Sequence, residues 1–199
     1  MDKNKIKIIL LIPIVFLIFC IGISTGSSNI NILDTISILL NKLINIPLRE
    51  GILPKDISII WTLRVPRVLL AFLVGGSLAV SGSVVQSTLK NELASPYTLG
   101  VSSGASLGAG LVIVLGLSAS FLGSLTLPIV GFLFGLITVF SVITFSAKID
   151  KSMSNNTIIL AGMVFSLFVN SLLTTLTSLF HEDLKAIVMW QMGSFAMRG

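Results

Sequence analysis

The first groups to weigh for chemistry are His181, the only histidine among the 199 residues, and the serines of Gly100-Val101-Ser102-Ser103-Gly104. Gly-x-Ser-x-Gly is the spacing of a nucleophile elbow, where a strand-to-helix turn exposes a serine and a histidine takes its proton. Here a polar turn, not a strand, precedes Gly100. Small residues that let helices approach closely therefore account for the motif better than a serine hydrolase built from Ser102 or Ser103 with His181. His181-Glu182-Asp183 makes a poor metal site, because adjacent residues do not readily converge on one ion. Met163, Met189, Met192 and Met197 form no spaced soft-metal cluster. These patterns lead to no expected metal or cofactor, and the lack of a Gly-x-x-x-x-Gly-Lys-Ser/Thr motif to no expected nucleotide site. Arg64 and Arg67 stand three apart at the mouth of an apolar run. Two readings stay open for them: anchors that reach lipid phosphate, or a pair that meets a carboxylate on a partner protein. Gln86 lies near the far end of the same run, where an amide suits a hydrogen bond between helices.

The elements that must hold these groups are membrane helices. Apolar residues make up 54% of the chain and charged residues 11%, with a mean hydropathy of +1.03. A soluble domain carries about 25% charge. Stretches near 6–24, 65–89, 97–117, 121–147 and 157–180 each approach the roughly 20 apolar residues that cross the hydrocarbon. Lipid offers no partner to an unpaired amide, so helices are expected, and the runs are too long for barrel strands. The segment 26–64 reads as an outer-surface connection. Ile30, Leu33, Ile36, Leu40 and Leu43 give part of it one apolar helical face, and Trp61 suits a membrane boundary.

Small residues recur every four positions: Ala71, Gly75, Ala79, Ser83 and Ser87 in the second span, and Gly100, Gly104 and Gly108 in the third. Such seams let helix backbones pack closely in lipid. Pro96 is expected at the start of the third helix with Ser95 as its N-cap. Residues 148–156 should form a short polar turn. The net charge of +5 is scattered through loops, which argues for membrane topology and against nucleic acid. Raw counts of cations on the two sides do not decide orientation. The tight turns holding Lys90, Lys148 and Lys151 point to a cytoplasmic N-terminus. Cys20 is the single cysteine, so no internal disulfide forms; bulky Phe19 beside it speaks against lipid attachment.

The run from Arg64-Val65-Pro66-Arg67 to Ala105 resembles the FecCD-type permease subunits of bacterial ATP-binding-cassette importers for iron–siderophore, haem and vitamin B12. Leu78, Ala79, Ser81, Gly82 and Gln86 carry the resemblance in the second span. Asn91, Leu93, Ala94, Pro96, Leu99, Gly100, Val101, Ser102, Gly104 and Ala105 carry it in the turn and return. Leu160-Ala161-Gly162, Trp190 and Gly193-Ser194 also match the family. Glu92 and Gly76 depart from it, standing where the family has proline and alanine.

The resemblance implies an all-α polytopic bundle, with about five membrane-spanning helices here of a family fold with about ten. The 199 residues are thus expected to be the N-terminal part of one permease domain. It implies that Arg64 and Arg67 dock a periplasmic or lipid-anchored substrate-binding protein. Gln86, Asn91, Pro96, Ser152, Asn155 and Asn156 would belong to the translocation path and inner gate. Gly75, Ala79, Gly82, Gly100, Gly104 and Gly108 would serve helix packing. Separate ATPase subunits, a second permease subunit and the bilayer would be partners. The expected function is transport of an iron chelate or cobalamin across the bacterial cytoplasmic membrane, without covalent chemistry. An intramembrane hydrolase and a non-transporting fragment are the alternatives.

Overall fold

A computed structural model of the chain describes residues 3–28, 30–117 and 123–193; positions 121–122 of the expected fourth span, Ser194 and Met197 lie outside them. Among the described residues all regular structure is helical. In chain order the helices are α1 (Lys3–Ser24), α2 (Ile32–Ile44), α3 (Pro54–Ser58), α4 (Val65–Thr88), α5 (Val101–Val114), α6 (Thr126–Ile149), α7 (Asn155–Leu179) and α8 (Leu184–Gln191). A π-helical stretch covers Ile59–Arg64, and short 3-10 turns cover Gly123–Leu125 and His181–Asp183. The described residues divide into two compact units, one ending at Gly76 and one beginning at Ser77.

Three of the described helical runs are long and apolar enough to cross a bilayer: Pro54–Thr88, Gly123–Ile149 and Asn155–Leu179. Val101–Val114 is apolar but shorter, and α1 runs for 22 residues. The pattern predicts a third span over 97–117, whereas α5 begins at Val101 and ends at Val114. At 1.5 Å per residue it rises roughly 21 Å, short of the ~30 Å hydrocarbon core. Gly100, at φ +81°, holds the left-handed conformation that stops a helix from extending backwards through it. Pro96 and Ser95 therefore sit in an irregular ascent, not at the helix start.

In the first unit, Ile23 of α1, Ile38 of α2, Ile60 and Val65 form a buried core, with Phe19, Ile30, Leu39, Ile52, Ile57 and Val68 packed around it. Helix α2 lies within the segment 26–64, but it packs through Thr35 and Ile38, whereas Leu33, Ile36 and Leu43 of the expected apolar face are exposed. The Asn31 side chain accepts from the Leu33 amide at its start, and Asn45, at φ 57°, closes its end. Although it contains prolines at 54 and 66, helix runs unbroken from Pro54 to Thr88. Pro54 occupies the first turn, where its missing amide would be unpaired anyway. Pro66 has no N–H for the Thr62 carbonyl, and its ring would crowd that group in an α-helix. The wider π turn relieves the conflict, with the Val65 amide donating to the Ile60 carbonyl five residues back.

In the second unit, α5 packs between α6 and α7 through its glycines. A Cβ at Gly104 would land on Thr138 Oγ1 and lie 2.8 Å from the Phe134 carbonyl oxygen; one at Gly108 would lie 2.7 Å from the Phe134 ring. From the other side, a Cβ at Gly135 would lie 3.3 Å from the Val101 carbonyl oxygen and one at Gly131 3.4 Å from the Trp190 ring of α8. The buried hydroxyls of Thr138 and Ser146 donate to the carbonyls of Phe134 and Val142 in their own helix, so neither donor is stranded. Ile187 of α8 is buried near Gly110 of α5.

Candidate functional site

Arg64 and Arg67 differ sharply in setting. The last carbonyls of a helix lack intrahelical donors, and α1 ends at Ser24. Arg64 supplies them: Nη1 donates to the carbonyls of Ile23 (3.1 Å) and Ser24 (2.7 Å), and Nη2 to Ser28 (2.8 Å). Gly26 leaves room for the guanidinium, since a Cβ there would sit 2.6 Å from Nη2. Arg67, one turn on, is exposed and lines an apolar hollow with Val15, Phe19, Gly22 and Phe72. The helix that aligned the pair in sequence thus gives them separate surroundings, one turned to the carbonyls of α1 and one open.

The two polar turns expected near an inner mouth are brought side by side. A cavity of about 240 Å³ is lined by Val85, Thr88 and Leu89 from the end of α4, Leu99 from the ascent, Val142 of α6, and Met153 and Ile158 from the α6–α7 turn. Each turn is closed by its own side chains. Gln86 Nε2 donates to the Glu92 carbonyl (3.0 Å), and Asn91 Oδ1 accepts from the Leu93 amide (2.9 Å). Pro96 lies inside a reciprocal pair, in which the Ser95 amide donates to Thr98 Oγ1 and the Thr98 amide donates to Ser95 Oγ. The ascent then presses on α7 at Gly162, where a Cβ would be 2.5 Å from the Thr98 carbonyl oxygen. Irregular backbone at membrane depth persists only where protein buries it, and Leu89, Ala94 and Gly100 are buried.

The organiser of the second turn, missed in the sequence, is Asp150. Its carboxylate accepts from the Ser152 amide (2.9 Å) and hydroxyl (2.6 Å), the Ser154 amide (3.0 Å) and Thr157 Oγ1 (3.1 Å). The Ser152 hydroxyl first, then Ser154 and the backbone amides, hold this carboxyl well below the usual carboxylate range. The spacing Asp150-x-Ser152-x-Ser154 was the available signal, since an aspartate commonly bonds the backbone two residues ahead. Ser152 is thereby engaged within the turn, while Asn155 and Asn156 open α7.

Gly100, Gly104 and Gly108 lie at close helix contacts. A Cβ at Gly75 or Gly82 would meet nothing within 4 Å among the described residues, and Ala79 is exposed. Ser102 and His181 are not brought together. Gly100 packs at the level of Gly162, and from there α7 climbs roughly 25 Å before it ends at Leu179, ahead of His181.

Known proteins share this arrangement. The chain is 42% identical over 146 residues to the ABC transporter permease protein YvrB of Bacillus subtilis, itself uncharacterized, covering 73% of this chain and 41% of that one. It is 38% identical to the molybdate import system permease protein MolB of Haemophilus influenzae (72% and 41% covered). It is 33% identical to the vitamin B12 import system permease protein BtuC of Klebsiella pneumoniae (75% and 44% covered). A solved metal-chelate type ABC transporter in an inward-facing conformation aligns at a TM-score of 0.71 and 31% identity, over 96% of this chain and 54% of that one. The matched region spans less than half the length of these curated relatives. With three described helical runs long and apolar enough to cross a bilayer and residues 14–199 matching its sequence profile, this membrane protein belongs to the FecCD transport family.

Proposed function

We propose that this chain is the N-terminal part of a permease subunit of an ATP-driven importer in the bacterial cytoplasmic membrane, moving an iron chelate, such as a siderophore or haem, or cobalamin. Family membership across residues 14–199 carries this reading, and the side-by-side placement of the two polar turns supports it. A substrate-binding protein delivers the cargo at the Arg67 end of α4. Separate ATP-binding-cassette subunits drive closure, a second permease subunit completes the pathway, and the turns at Leu89–Gly100 and Asp150–Ser154 separate to release substrate inward. This is alternating access around packed helices. Arg67 is the docking contact, with a guanidinium free to pair with a carboxylate; Arg64 supports it from behind by fixing the end of α1.

The test is capture of the cognate binding protein by the complete transporter in proteoliposomes. Arg67→Glu should weaken capture on the order of tenfold or more, as expected when an attractive charge pair becomes repulsive. Unchanged capture would remove the docking role. Absence of substrate-dependent ATP hydrolysis in the wild-type assembly would remove the importer reading itself.

A further inference from the structure

Within the second unit, an open cavity of about 360 Å³ lies between α5, α7 and α8 and is polar for a membrane helix bundle: Tyr97, Ser102, Ser103, Ser106, Asn170 and Gln191 line it. Counting from Asn155, Asn170 stands about 22 Å up α7, so the cavity opens at depth in the bilayer and not at its inner surface. Polar groups at such depth are costly and mark a path or binding site.

Their hydrogen-bonding capacity is unspent. Thr174 also lines the cavity, and its hydroxyl donates to the Asn170 carbonyl of its own helix, as Ser166 of α7 and Thr138 and Ser146 of α6 do to theirs. Among the described residues, no such bond engages the side chains of Ser102, Ser103, Ser106 or Asn170. Ser103 is the telling member. It is only 6% exposed, yet no buried polar side-chain atom among the described residues lacks a partner, so its hydroxyl must reach the cavity surface. Hydroxyls, amides and a phenol converge there, and among the described residues no charged side chain lines the cavity.

We infer that Ser102, Ser103, Ser106, Asn170 and Gln191 form a hydrogen-bonding station on the translocation path, which takes the neutral polar rim of a large chelate. The inference rests on the permease reading. A small oxyanion needs a cation or a cluster of strong donors, and a bare metal ion needs carboxylate, imidazole or thiolate; the lining offers neither set. Amide, hydroxyl and carbonyl groups around a wrapped metal are matched by neutral donors and acceptors, each bond weak enough for the substrate to move on.

The test uses the complete permease with its ATPase and binding protein in proteoliposomes. Three probes are supplied: cyanocobalamin, a ferric trihydroxamate chelate and molybdate. Wild-type uptake of one of the first two, and not of molybdate, is expected. Asn170→Leu and Ser103→Ala should each lower that uptake, the former on the order of tenfold. Binding-protein capture and basal ATP hydrolysis should stay unchanged, and Ser103→Thr should retain uptake. Full chelate uptake by Asn170→Leu overturns the station and leaves the importer reading standing. Molybdate uptake alone overturns the substrate class. No uptake of any probe, with no capture of a binding protein, overturns the reading beneath both.

Discussion

At the residue scale, the arginine pair shows how one motif divides its labour. Arg64 donates three hydrogen bonds to carbonyls at and beyond the end of α1, and a hydrogen bond to a charged group is worth about 1.5–3 kcal/mol. Removing it as Arg64→Ala should lower the unfolding midpoint of the detergent-solubilised protein by a measurable step. Arg64→Lys should recover only part of it, since an ammonium lacks the planar fork; Arg67→Ala should leave the midpoint unchanged. A midpoint indifferent to Arg64→Ala would mean that water caps α1 equally well. Asp150 carries a second prediction. A carboxyl held below its ordinary value of 3.8 stabilises the turn fully above that pH, and the contribution fades only as pH falls toward the folded value. Amide protection at Ser152 and Ser154 should therefore be constant between about pH 7 and 5, and Asp150→Asn should reduce it throughout. Loss of protection near pH 6 would contradict that assignment. The arginines were legible from their spacing, but their different roles were not. Those depend on where Ile23 and Ser24 end a helix some 40 positions earlier, a long-range fact with no local signature.

At the element scale, the glycine register separates contacts made within this chain from those it leaves open. Gly104 and Gly75 share a four-residue pattern in the sequence. Alanine at 104 would collide with Thr138 and the Phe134 carbonyl, and alanine at 75 would meet open space. Overpacking costs about 1–3 kcal/mol, whereas replacing an exposed helical glycine gains up to about 1 kcal/mol. Gly104→Ala should thus destabilise the purified protein and Gly75→Ala should not. Equal effects would show that α5 and α6 separate in solution. The pattern of small residues disclosed which faces are able to pack, and for α5 that sufficed. It was silent on whether a partner helix is present, which is why Gly75, Ala79 and Gly82 looked the same as Gly104. The π turn ahead of Pro66, which absorbs that residue's conflict with an α-helix, is likewise encoded by no hydropathy pattern.

At the scale of the whole molecule, side-to-side orientation is the property on which docking, path and release all depend. Within the second unit, α5 and α7 rise in the same direction from two adjoining turns, so Lys90 and Lys151 share one end of that bundle. Helical continuity from Pro54 to Thr88 puts Arg67 at the opposite end of α4 from Lys90. The run between them, 23 residues or roughly 35 Å of helix, exceeds the ~30 Å core, so the two cannot share a side if α4 crosses. Tight cationic turns favour the cytoplasm. Cys20 is the single native thiol and is buried, so Cys20→Ala provides a clean background for introduced cysteines. A membrane-impermeant maleimide applied to intact spheroplasts should label Arg67→Cys promptly. Lys90→Cys and Lys151→Cys should react only after permeabilisation. The reverse pattern would place the polar turns outside and exclude inward release through them. Labelling of all three without permeabilisation would mean that α4 does not cross at all, and the geometry of path and docking would fall with it.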